Sequence, residues 1–181
     1  LANFPMRGAN TLEDGKPIFG EPWKLFTVDG IRIAVLALSY HNTDETGSKS
    51  NVEGLEFTNG IEATRRYLPE MRKAADVIVL LSHQGTAVDR QLARELSGVD
   101  LIVGAHSHDR IAPPEKVGST WIVQALSDAA ALGELRLVFG PDRLLTAVTA
   151  TVHDLWNDRI APDPTMAKLV AEIDAPSREA L

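Results

Sequence analysis

DVIVLLSHQGTAVDRQLARELSGVDLIVGAHSH, residues 76–108, carries the reading of the fold. DVIVLLSH, Asp76 to His83, is almost entirely apolar up to its last two residues, as in a strand covered on both faces. Val88, Leu92 and Leu96 then recur at helical spacing before Gly98, and LIVGAHSH, Leu101 to His108, reads as a second buried strand. A strand, a helix and a strand joined by short connections form the right-handed crossover of a parallel sheet. Both strands run into histidine: His83 in LLSHQG, His106 and His108 in GAHSH. The carboxyl ends of such strands are where open α/β sheets place their ligand crevice. If the backbone stays extended to His108, the i, i+2 spacing turns His106 and His108 to one side, with His83 joining from a nearby strand.

Outward from this unit, Trp23 to Val28 and Ile31 to Leu38 flank Asp29-Gly30 and predict a β-hairpin whose second strand is central. HNTDETGSKSN follows as a polar loop. Ile61, Leu68, Met71 and Ala75 share one face of a helix over 60–75, and Pro69 predicts a kink or break in it. Beyond a Pro113-Pro114 loop, STWIVQAL, GELRLVF and LLTAVTATVHDL predict strands without intervening helices, so the sheet becomes mixed or antiparallel. Asp163 and Pro164 open a last helix whose stripe of Met166, Leu169, Val170 and Ile173 must pack against this domain or a further one. The fold class is α/β.

The 181 residues suffice for one core, and a net charge of −7 without a run of Lys or Arg argues against a nucleic-acid polymer or an anionic membrane surface as partner. A polyanionic ligand would need a metal or local positive charge. Cysteine is absent, which excludes disulfides, thiolate zinc sites and a cysteine nucleophile. The longest apolar runs fall well short of the ~20 residues of a membrane helix. Ser107 lacks a G-x-S-x-G elbow, and no G-x-G-x-x-G or P-loop motif occurs.

Neutral imidazole binds first-row divalent metals, and three histidines at strand ends make a metal cluster the sharper hypothesis, although each alone reads as an ordinary hydrogen-bonded loop residue. His41 and His153 are taken as structural. Asp76 and Asp100 open their strands at the opposite end and are structural too, while Asp109 is a candidate outer partner of the metal site.

LSHQG and GAHSH together resemble the last two metal motifs of the calcineurin-like metallophosphoesterases. FPMRGAN, VDGIRIAVLALS, GLEFTNGIEATRRYLPEMRKAADVIVLLSH and TWIVQALSDAAALGELRLVF resemble the bacterial 5'-nucleotidase branch in sequence and order. The resemblance implies part of a four-layer αββα sandwich with mixed sheets, residues 1–160 forming the second half of a catalytic domain. It makes residues 161–181 a linker helix leading toward a C-terminal domain. It also implies two divalent ions, zinc, manganese or similar, with His83 and His106 on one and His108 on the other. GAH stands here where the family more commonly has glycine-glycine-histidine.

The family's Asp-x-His, Gly-Asp and Gly-Asn-His motifs, including the bridging aspartate, do not occur in these residues. The catalytic residues are therefore unassigned, and the chain is expected to be inactive alone and to need the first half of the domain as partner. What the resemblance implies for the complete enzyme is hydrolysis of phosphate monoesters, nucleotides foremost, by a metal-activated hydroxide. Cyclic-nucleotide phosphodiesterase and thiosulfohydrolase are alternatives within the superfamily, and a non-catalytic binding module is the alternative outside it. Members of the branch are commonly exported, so a periplasmic or extracellular location is expected.

Overall fold

Asp29 and Gly30 both adopt left-handed backbone, φ 49° and 79°, which is what a two-residue hairpin turn needs. The turn joins β3 (Trp23–Val28) to β4 (Ile31–Leu38), paired antiparallel as the sequence predicts. The computed structural model describes residues 3–156 and 158–179. Before the hairpin lie β1 (Thr11–Glu13) and β2 (Lys16–Pro17), and after it the single turns α1 (Thr43–Thr46) and α2 (Lys49–Val52), then β5 (Leu55–Phe57). Next come α3 (Gly60–Ala74), β6 (Val77–Ser82), α4 (Thr86–Glu95) and β7 (Leu101–Gly104). The chain continues through β8 (Arg110–Val117), β9 (Thr120–Ala125), β10 (Ala131–Phe139), β11 (Leu145–Asp154) and α5 (Pro164–Glu179).

A six-stranded mixed sheet in the order β3-β4-β6-β7-β9-β8 is the centre of the molecule. Its four inner strands are parallel, and β3 and β8 close the two edges antiparallel. On one face Leu36, Ile78, Leu80, Ile102 and Ile122 pack with Ile61, Leu68 and Met71 of α3 and Leu92 of α4. On the other, Val77, Val79, Leu101 and Val123 meet Leu135, Leu137, Phe139 and Ala150 of the β10–β11 hairpin. Each inner strand thus buries both faces, which is why its sequence is apolar without alternation. Helices, sheet and second sheet are three successive layers of an αββα sandwich with mixed sheets.

Two proline expectations need correction. α3 runs unbroken through Pro69. That residue sits on the solvent face, where water can satisfy the carbonyl that its missing N–H leaves free. Pro113 and Pro114 lie inside β8, not in a loop. They occupy the gap between the Ile111 and Glu115 pairings, on an edge strand, the one setting in which a sheet tolerates a residue without an N–H.

Asp163 caps α5 as expected, its Oδ1 accepting the Met166 N–H at 2.9 Å. The apolar stripe is not packed on this domain: Met166, Leu169, Val170 and Ile173 are all exposed.

Asp76 anchors the amino end of β6, accepting from the Arg32 backbone N–H at 2.9 Å and from its guanidinium at 2.7 and 3.1 Å. These bonds hold its carboxyl down from the ordinary 3.8 to about 2. Because the folded-state value is depressed, the stability it confers is complete above about pH 4 and lost as pH falls toward 2. Asp76→Asn should therefore lower the melting temperature at neutral pH and flatten its fall over that acid range. An unchanged acid limb would contradict the assignment.

Candidate metal centre

Leu38 pairs with Ser82, and Ser82 pairs with Gly104, so β4, β6 and β7 stop level with one another. The residues that follow, Ser39-Tyr40, His83 and Ala105-His106, consequently emerge in a row along one edge. The His83 N–H bonds Leu38 O at 2.8 Å, which seats it directly on the end of the sheet. Ser39, Tyr40, Thr43, His83 and His106 line a cavity of about 430 Å³ together with Arg7. Larger hollows of about 550 and 590 Å³, beside Trp23 and Trp121, contain no histidine.

The His83 and His106 rings meet edge to face, with centroids 5.2 Å apart and planes at 67°. Tyr40 covers His106 from another side, stacked at 4.0 Å. Partial burial, then the charges of His106 and His108, hold the His83 imidazole below its ordinary 6.5. It is neutral at physiological pH, the form that ligates metal.

The extended backbone expected up to His108 is not found, because β7 ends at Gly104. His106 and His108 instead take left-handed conformations, φ 76° and 59°, which non-glycine residues adopt at a cost and mostly where surrounding structure enforces it. Gly85 of the S-H-x-G motif is needed for its φ of +85°, a backbone that side chains rarely adopt, and it lies against the His106 ring. Ser107 turns inward, and its Oγ accepts the Thr86 N–H at 3.1 Å, capping α4 from another loop.

Beneath this loop the Asp89 carboxyl is wholly buried and accepts the Ser82 hydroxyl through Oδ1, and burial pushes it up to about 7. A Cβ at Gly104 would fall 2.5 Å from Asp89 Oδ2.

Of the other candidates, Asp109 accepts from Thr86 Oγ1 and so braces the loop. His41 Nδ1 bonds Gln84 Oε1 at 3.1 Å, and His153 pairs with Glu134 on the β10–β11 ribbon at 3.0 Å, both in structural settings. His108 is exposed, and among the described residues no three His, Asp or Glu side chains converge on one point. Sequence reasoning passed over Arg7, Tyr40, Thr86 and Gln124. Only the local charge required by an acidic chain pointed toward Arg7.

No family model matches the sequence. A 5'-nucleotidase of Vibrio cholerae is 32% identical over 126 residues, covering 61% of this chain and 23% of that protein. The sulfate thiohydrolase SoxB of Thermus thermophilus, solved with glycerol, superposes with a TM-score of 0.88 at 26% identity, over 96% of this chain and 32% of its own. A 5'-nucleotidase precursor, also from Thermus thermophilus, superposes with a TM-score of 0.81 at 25% identity, over 99% and 39%. The chain is similar in sequence and in fold to 5'-nucleotidases and to calcineurin-like phosphoesterases.

The chain spans well under half the length of these relatives. Members of the family use divalent metals. The residues present fit such an ion in part: His83 and His106 are close enough for both rings to reach one centre at the usual metal–nitrogen distance of about 2.1 Å. Two imidazoles leave the remaining positions to other donors.

Gly104→Ala should destabilise the fold by about 1–3 kcal/mol in urea unfolding, because the buried Asp89 carboxylate cannot withdraw from the added methyl. A variant as stable as the parent would show that Asp89 is not fixed there.

Proposed function

We propose that this chain forms one wall of the active site of a metal-dependent phosphoesterase that hydrolyses phosphate monoesters, nucleoside monophosphates foremost. The observation that carries the reading is the meeting of His83 and His106 in one cavity wall, at level strand ends, in a family that uses divalent metals. In this reading His83 and His106 hold one ion and His108 a second. Such ions, when bound, polarise phosphoryl oxygens and lower the pKa of a bridging water. His83 contributes a neutral imidazole, and Tyr40 fixes the plane of the His106 ring.

Residues 1–160 act as the second half of the catalytic domain and 161–181 as a linker helix toward a further domain. The bridging carboxylate and the catalytic residues come from the first half, so the chain alone is inactive. The shares of 23–39% that it covers in its relatives support this division. Export to the periplasm or cell exterior is part of the same reading. It is supported by the precursor form of one relative, and no helix among the described residues is long and apolar enough to cross a membrane.

Arg7 is the only cation among the cavity residues, and none of them is a carboxylate. Its pairing with Glu21 is loose, at 3.6 Å to a side chain 81% exposed, and such pairs hold little energy. Arg7 is thus available to bind a phosphoryl oxygen that the metals leave free. A charged hydrogen bond of about 1.5–3 kcal/mol corresponds to a loss of roughly ten- to a hundred-fold in kcat/KM for Arg7→Met, with metal content unchanged. An unaltered kcat/KM would remove Arg7 from substrate binding.

The closeness of the SoxB superposition favours one second reading, a thiohydrolase acting on a sulfonate. One assay separates the readings. The protein completed over the whole domain, stripped by chelator and reloaded with Mn²⁺ or Zn²⁺, should release phosphate from nucleoside monophosphates. Sulfate release from an S-sulfonate with no phosphatase activity would establish the alternative, and no turnover of either under any metal would leave a binding module.

A further inference from the structure

Gln124 stands next to last in β9, the strand TWIVQA, with its side chain 3% exposed. A buried primary amide is costly unless both ends are bonded. Here both are, and the partners form a pattern. Oε1 accepts the Asp109 N–H at 2.6 Å and the Ser107 hydroxyl at 3.2 Å, while Nε2 donates to the Ala105 carbonyl at 3.3 Å. The same Nε2 lies 3.3 Å from Thr86 Oγ1, at the start of α4. One amide therefore bonds residues 105, 107 and 109. Residues 106–109 are all exposed, and the two between those bonded to the amide, His106 and His108, are the ones with left-handed backbone.

We propose that Gln124 is a positioning residue of the metal site: it folds the 105–109 loop by bonding alternate residues to the protein, which leaves the two histidines between them to the metals. The proposal rests on the reading of His83, His106 and His108 as ligands. Only an amide offers this combination. Met matches its volume but gives no bond, Glu keeps the acceptor for Asp109 N–H and loses the donor to Ala105, and Asn is one methylene too short to reach.

The test is Co²⁺ titration of the protein completed over the whole domain, followed by visible absorption, for wild type, Gln124→Met and Gln124→Glu. Loss of an outer partner of a metal site costs about 10–100-fold in affinity. Gln124→Met should show a loss of that size and an altered cobalt spectrum. Faster hydrogen exchange at the Asp109 amide should accompany it in the metal-free protein, with a melting temperature close to wild type. Gln124→Glu should fall between the two. Cobalt affinity within twofold of wild type and an unchanged spectrum in Gln124→Met would overturn the proposal. If Gln124→Met does not fold, wild-type binding by Gln124→Glu overturns it equally. His83→Ala separates the two levels. Loss of cobalt there with no effect at Gln124 refutes only the positioning role, whereas undiminished binding in His83→Ala refutes the ligand reading and the proposal with it.

Discussion

Everything at the candidate site depends on the register of three parallel strands. β4, β6 and β7 end at Leu38, Ser82 and Gly104, which are mutual partners across the sheet. A slip of one residue would exchange the two faces of a strand and carry its terminal residues out of line. The register is held by apolar packing on both faces and by carboxylates at the opposite end. Asp76 ties β6 to Arg32 of β4, and Asp100 bonds the Ile78 N–H of β6 and Arg72 of α3. These pairs are far from the histidines, yet they set the level from which the histidines emerge.

Above the strand ends the physics changes from apolar packing to buried polar bonding. Ser82, Thr86, Asp89 and Gln124 are all nearly inaccessible, and each is bonded to another of them or to the 105–109 loop. Such networks fix one conformation because any partial loss leaves a polar group stranded in a poorly solvated place. The strained backbone at His106 and His108 is the outcome. A loop of this kind holds its side chains in place before a ligand arrives, which is what metal coordination and phosphoryl transfer both require.

The crossover unit, the hairpin at Asp29-Gly30 and the start of α5 at Pro164 were legible in the sequence, because each rests on a local signal: unbroken apolar runs, a turn dipeptide, a cap. The gathering of His83 and His106 was legible as well, since it needs only two adjacent parallel strands that end in histidine. β8 was not, because two prolines argue against a strand unless the bulge that accommodates them is known. The shape of the histidine loop was not, because it is set by Gln124, whose place in WIVQA looks like any strand position. Its role appears only once β9 is known to lie beside β7. Among the described residues no group of three His, Asp or Glu side chains comes together around a metal position.

In the proposed assignment His83 and His106 serve one ion and His108 another. Metal content per chain, measured by mass spectrometry on the completed domain for His83→Ala, His106→Ala, His108→Ala and the His83/His106 double variant, tests it most directly. His83→Ala, His106→Ala and their double should each lose the same one ion, and His108→Ala the other. Full metal content in His83→Ala and His106→Ala, or separate ions lost from those two, would contradict it.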